Sequence, residues 1–291
     1  MSIYVPNYYK AFRCIADRCR HSCCIGWEID IDKETLSVYK NVSGAFGKRL
    51  NDNISQEDTP HFILDEQERC PFLNERNLCD IYTELGEEHL CQICSDHPRF
   101  RNFFENRTEI GLGMCCEAAA ELILTFPEKM KLVHTETDEK TPFFPEREQA
   151  FAILQNRSQP IKERIRILKE TFGITLPEKT FSEWKEVFLS MEILNSRWEA
   201  LLKNATGVSP AFQEDKWQIA KEQLLVYFVF RHMMPDGDAS SALALCLVSY
   251  EMILRLCKTE ADLFDVARMY SAEMEYCEEN TEDLLFEIEI G

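Results

Sequence analysis

Glu222-Gln-Leu-Leu-Val-Tyr-Phe-Val-Phe230, then Pro235-Asp-Gly237, then Ala242-Leu-Ala-Leu-Cys-Leu-Val248: this stretch decides the fold class. Two apolar runs flank a strong turn signal, which predicts long helices over Ala211–Met233 and Ala239–Leu256. Upstream, Phe181, Trp184, Val187, Phe188, Met191, Leu194, Trp198, Leu201 and Leu202 recur at three- and four-residue steps, placing them on one helical face. Ile161–Thr171 reads as a shorter amphipathic helix and Thr259–Glu278 as a last one. These aromatic and methionine stripes read as core rather than as a cofactor box. With only 10 Gly and 11 Pro in 291 residues, long helices are favoured over many short strands. The expected fold is mainly α, a cysteine-rich metal-binding N-terminal domain followed by a C-terminal helical bundle.

Toward the N-terminus the pattern changes. Ten of the 13 cysteines lie between Cys14 and Cys116. They fall into separate groups: Cys14, Cys19, Cys23 and Cys24; then Cys70 and Cys79; then Cys91 and Cys94; then Cys115 and Cys116. Spacings of two to four residues let one local turn aim two sulfurs at a common centre, and distant groups close the shell when the chain folds back. Three readings compete: disulfides, structural zinc and iron–sulfur ligation. Disulfides need an oxidising compartment, and zinc shells usually come as regular Cys-x2-Cys halves. Iron–sulfur ligation tolerates irregular all-thiolate sets and is the favoured reading. Adjacent Cys23 and Cys24 are expected to point apart and to serve different irons. His21 and His97 lie beside these cysteines as possible further ligands, though hydrogen bonding to sulfur is the commoner role. Cys246, Cys257 and Cys277 sit among apolar helical residues and read as small core hydrophobes.

Leu36–Leu50 has weak helical character, Asn51–Pro60 reads as a polar loop, and short helices are expected within Asp80–Cys94 and at Ala118–Phe126. Between Pro127 and Pro145 the chain is charged and has no apolar period. The expected organisation is therefore a cysteine-rich domain at 1–126, a linker at 127–145 and a helical domain at 146–291.

A formal charge of −19 without a Lys/Arg cluster argues against nucleic acid as a partner. The stretch Glu273–Glu289 has no basic residue; it reads as a solvated face or as an electrostatic guide for a basic partner. No secretory signal is visible, and the apolar runs fall short of the roughly 20 residues that span a bilayer. The expectation is a cytoplasmic protein without a membrane partner. No phosphate-binding loop or nucleophile elbow is present, and Gly111-Leu-Gly113 is a bare Gly-x-Gly.

Several of these motifs resemble the flagellin lysine N-methylase family, a relative of the cysteine-cluster proteins described as zinc- or iron-chelating. The resemblance rests on Phe12-Arg-Cys14…Cys19…Cys23-Cys24-Ile-Gly-Trp27, on Cys70-Pro-Phe-Leu73…Leu78-Cys79-Asp-Ile81, on Leu85-Gly-Glu-Glu88…Cys94…Pro98-Arg99 and on Cys115-Cys-Glu117-Ala. In the second half, Glu222–Phe230 followed by Pro235 is also similar. The resemblance implies eight metal ligands: Cys14, Cys19, Cys23, Cys24, Cys70, Cys79, Cys94 and Cys115. Cys91 and Cys116 are then bystanders. Eight thiolates suit one or two four-iron clusters, with zinc as the alternative metal. It further implies methyl transfer from S-adenosylmethionine to lysine ε-amines of flagellin or another lysine-bearing protein. Arg99, Glu117 and Trp27 are the candidates for binding that donor: Arg99 on its carboxylate, Glu117 on its amine or on the substrate lysine, Trp27 on the adenine. No residue is singled out as the base. The alternative is a metal-binding or redox module without methyl transfer.

Overall fold

The structure, a computed structural model, describes residues 2–55, 57–137 and 143–291. In chain order the first elements are β1 (Ser2–Pro6), α1 (Lys33–Asn41), α2 (Gly44–Asp52), α3 (Asp80–Leu85), α4 (Gln92–Asp96), β2 (Arg99–Phe103), β3 (Arg107–Leu112), α5 (Glu117–Thr125) and β4 (Leu132–His134). There follow α6 (Pro145–Leu154), α7 (Ile161–Phe172), α8 (Phe181–Ser190), α9 (Ser196–Asn204), α10 (Asp215–His232), α11 (Ala239–Leu256), α12 (Leu263–Tyr270) and α13 (Glu278–Ile290). The chain is mainly helical, as expected, with one small sheet that the sequence did not announce.

The chain divides into two compact units, Met1–Phe12 with Arg101–Gly291, and Arg13–Phe100. This differs from the expected division at 1–126, 127–145 and 146–291. Strand pairing is the physical reason. The N-terminal strand β1 pairs in parallel with β3 (Ser2↔Arg107, Tyr4↔Glu109) and antiparallel with β4 (Tyr4↔His134, Pro6↔Leu132), giving the order β2-β3-β1-β4. Strand β4 lies within the expected linker, where Met130 and Leu132 are buried. Linker residues 138–142 lie outside the described residues.

In the helical unit, α10 packs against α5, α6, α7 and α11, and α11 packs against α12 and α13. Residues Glu222–Phe230 of α10 are buried on every side, as a central helix requires. The predicted turn at Pro235–Gly237 separates α10 from α11, and Asp238 caps α11 by accepting from Ser241 N at 2.6 Å. Helix α11 has the length and apolarity of a membrane span, with mean hydropathy 1.4 over 18 residues, but its neighbours bury two-thirds of it as a core helix. The face expected over 181–202 is broken into α8 and α9, because Thr180 and Asn195 each start a helix; Leu194 between them is exposed. The helix expected over Thr259–Glu278 is a 3-10 turn, α12, a π-helical turn at Ser271–Glu275 and the first residue of α13.

The cysteine-rich unit has short helices, none longer than nine residues among the described ones. The weak helix expected at Leu36–Leu50 is two, α1 and α2. They approach so closely that a Cβ on Gly47 would stand 1.8 Å from Val42 O. The core here comprises Ile29, Ile31, Tyr39, Leu50, Ile54, Phe62, Phe72, Leu73 and Ile81, together with Cys70 and Cys91.

Candidate metal centre

Three chain segments of the cysteine-rich unit converge. Cys70 N donates to Cys24 O at 2.8 Å and Gly26 N to Glu68 O at 2.9 Å, so the first cysteine group and Cys70 are laced by backbone bonds. A turn at Cys70–Leu73 and a bridge between Leu73 and Cys79 return the chain, and Cys79 caps the start of α3. Arg49 locks this loop, donating to Asp80 Oδ2 at 2.7 Å and to Pro71 O at 2.6 Å. Cys91 caps α4, and Cys94 stands one turn further on the same face. Asp32 ties α4 to α1, accepting from Thr35 N and Gln92 N, both at 2.9 Å. Burial alone would raise the Asp32 carboxyl, but these hydrogen bonds hold it below its ordinary value.

Cys24, Cys79 and Cys94 pack against the same core that contains Cys70 and Cys91. The thiols sense one another electrostatically, which requires a shared neighbourhood. A hydrogen bond from Cys23 brings Cys24 down to about 7, with help from Ser22 and the Arg69 guanidinium and against the effect of burial. The Cys94 thiol donates to Cys91, so Cys91 is lowered and Cys94 raised. Burial pushes Cys70 up to about 12 and raises Cys79. Tyr39 donates to His89 O at 2.7 Å and lies 3.6 Å from Cys91 Sγ.

One local expectation is corrected, and Cys91 is placed. The side chains of Cys23 and Cys24 do not point apart; they are hydrogen-bonded to one another. Cys91, expected as a bystander, is 1% exposed and bonded to Cys94, which makes it a member of the thiol patch. Among the described residues no three Cys, His, Asp or Glu side chains are arranged to hold one metal ion as they stand. The donor set that gathers is Cys23, Cys24, Cys70, Cys79, Cys91 and Cys94, sulfur throughout. That chemistry fits soft, thiolate-binding metals, iron–sulfur or zinc, and not Mg²⁺ or Ca²⁺.

The remaining predicted residues stand as follows. Cys14 is exposed, its Sγ accepting from Ala16 N at 3.4 Å, and Cys19 is half-buried. Cys115 belongs to the helical unit, where it is bonded to the Tyr276 hydroxyl and pushed up to about 12 by burial. Trp27 Nε1 donates to Cys23 O at 2.7 Å, and its ring lies 6.3 Å from that of His97. Burial, with Arg99 nearby, lowers His97 to about 4, so its ring is neutral. Arg99 Nη1 donates to Ser95 O at 3.1 Å, and Glu117 is the first residue of α5. Cys246 and Cys257 are buried as expected, but Cys277 is half-exposed and donates to Glu192 Oε2 at 3.4 Å. Sequence reasoning missed Asp32, Tyr39, Arg49 and Arg69; of these only Asp32, three residues before Thr35 at a helix start, carried a local signal.

The comparisons with known proteins agree with the motifs. A lysine-N-methylase of Salmonella choleraesuis is 28% identical over 156 residues, and one of Salmonella typhimurium is 26% identical over the same length. The chain is thus similar in sequence to lysine-N-methylases, the family its motifs resemble. The flagellar biosynthetic protein FliU of Salmonella muenchen is 28% identical over 139 residues, 45% of this chain and 82% of that protein. Against the two lysine-N-methylases the match covers 50% of this chain and 39% of theirs, so the chain spans well under half their length. No family model and no solved structure matches the chain.

Proposed function

We propose that this protein is an iron–sulfur lysine N-methyltransferase, cytoplasmic, that methylates flagellin or another lysine-bearing protein with S-adenosylmethionine as donor. The observation that carries the reading is the gathering of six thiols from three segments of a chain similar in sequence to lysine-N-methylases. Cys23, Cys24, Cys70, Cys79, Cys91 and Cys94 are the residues that would hold the metal, with Cys14 and Cys19 on the same unit as further thiols. A bound cluster supplies a covalent tie between the three segments and a redox-active iron centre. Metal binding takes the thiol protons; Cys24 gives its proton up readily, since the Cys23 hydrogen bond, with Ser22 and Arg69, stabilises the thiolate. Asp32 and Tyr39 hold α4 in place so that Cys91 and Cys94 are presented together. In the methyl transfer, a lysine amine that has lost its proton forms the N–C bond as the donor's S–C bond breaks, leaving S-adenosylhomocysteine.

The test is anaerobic purification followed by metal analysis and a methyl-transfer assay on flagellin. Brown protein absorbing near ~400 nm with about four or eight irons per chain, together with methylated lysine in the acceptor, is the expected result. Colourless, zinc-loaded protein without transfer supports the structural-metal alternative instead.

A further inference from the structure

Glu109, Glu222 and Glu275 are buried carboxylates of the helical unit that differ in how completely their oxygens are used. Both oxygens of Glu222 accept from Arg157, and Oε2 also accepts from Arg164 Nη1 at 2.6 Å. Glu275 accepts from the Tyr227 hydroxyl at 2.6 Å and from Ser271, and lies 3.0 Å from His232 Nε2. Glu109, on β3, is fully buried but used on one side only. Its Oε1 accepts from Arg107 Nε at 2.8 Å and Arg147 Nη2 at 2.7 Å; its Oε2 has no hydrogen-bond partner among the described residues. Arg147 is 1% exposed, and its Nε and Nη1 are likewise without one.

Charged groups left unsatisfied in an apolar interior are strongly unfavourable, so this triad calls for a further polar group. The chemistry of that group follows from what is left over. The unused Nε and Nη1 of Arg147 call for an acceptor, while Glu109 Oε2 calls for a donor. A carboxylate and an ammonium on one carbon supply both. The rings of Phe144, Phe151 and Phe230 stand 5.7–5.9 Å from the Arg147 guanidinium carbon, leaving such a ligand few other polar partners. The exposed ring of Phe143 lies 5.0 Å from the Arg107 guanidinium.

We infer that Glu109 and Arg147 bind the α-amino-acid end of a ligand, its ammonium on Glu109 Oε2 and its carboxylate against the unused nitrogens of Arg147. Resting on the methyl-transfer reading, the ligand is S-adenosylmethionine. Neither residue belongs to the motifs that suggested Arg99, Glu117 and Trp27 for this donor.

Calorimetry on the full, anaerobically purified chain tests this with three probes: S-adenosylmethionine, its decarboxylated form, and 5′-methylthioadenosine, which lacks the amino-acid end. The intact donor binds at least about tenfold more tightly than either truncated probe, the value of a charge-assisted hydrogen bond. In Arg147→Gln and Glu109→Gln that preference shrinks toward unity, a readout that a merely structural role would not move. The probe comparison on the unmodified chain stands even where a variant fails to fold. Equal binding of all three probes, as when the triad holds only water, overturns the assignment and leaves the methyl-donor reading intact. If none of the three binds, both fall. Free methionine competing as strongly as the donor would keep the triad as an amino-acid site and remove its link to methyl transfer.

Discussion

Residues 13–100 and the helical unit bury polar groups by different means. In the helical unit, 18-residue helices satisfy their own backbones, and the buried Glu222 of α10 is neutralised by Arg164 of α7 and by Arg157 of the loop before it. In the cysteine-rich unit, isolated bridges and loop hydrogen bonds join distant segments, and thiols occupy part of the core. Thiols pack acceptably as small hydrophobes, but they bind to one another only weakly until a metal replaces their protons. The helical unit is therefore held largely by helix packing and buried ion pairs within the chain, whereas thiols make up part of the other unit's core.

Cys94→Ser gives the largest expected effect: metal loading falls to near zero by iron analysis, while Cys257→Ser retains it. Equal loss in both would erase the distinction between the units. Cys91→Ser sharpens it further, since membership of the thiol patch predicts reduced loading and a bystander predicts none. Next in size, Glu222→Ala strands Arg157 and Arg164 and lowers stability by roughly 3–5 kcal/mol in denaturant unfolding, with metal content per folded chain unchanged. A loss of metal in that variant would show that the two units are not independent in stability.

A smaller effect depends on pH. Burial pushes the Glu273 carboxyl up to about 7, while its Oε2 accepts from Leu194 N at 2.9 Å. A raised carboxyl binds its proton more tightly in the folded state. Its contribution is fully present below the ordinary value of 4.5 and is lost as pH rises through about 7. Stability should therefore fall by roughly 2–3 kcal/mol over that window, and Glu273→Gln should flatten the fall in pH-resolved melts. An unchanged pH profile in the variant would assign the dependence elsewhere. The smallest effect is Thr180→Ala, which removes the capping box of α8 and costs about 1 kcal/mol, read as a shift in denaturant midpoint.

The sequence by itself determined the helical class, the turn at Pro235–Gly237 and the concentration of thiols in the first part of the chain, because helical period and residue chemistry are local properties. It also carried the resemblance to lysine-N-methylases, which the Salmonella relatives support. Only the tertiary structure decided the rest. Strand β1 has five residues, and its partners β3 and β4 lie more than a hundred residues away in the chain, so no local pattern announces the sheet or the place of the N-terminus in the helical unit. The place of Cys91 at the start of α4 is held by a hydrogen bond from the next residue, Gln92, to Asp32, sixty residues earlier. The half-used carboxylate of Glu109 likewise exists only because β3 and α6 meet. Contacts of this kind are fixed by long-range packing, which spacing along the chain does not encode.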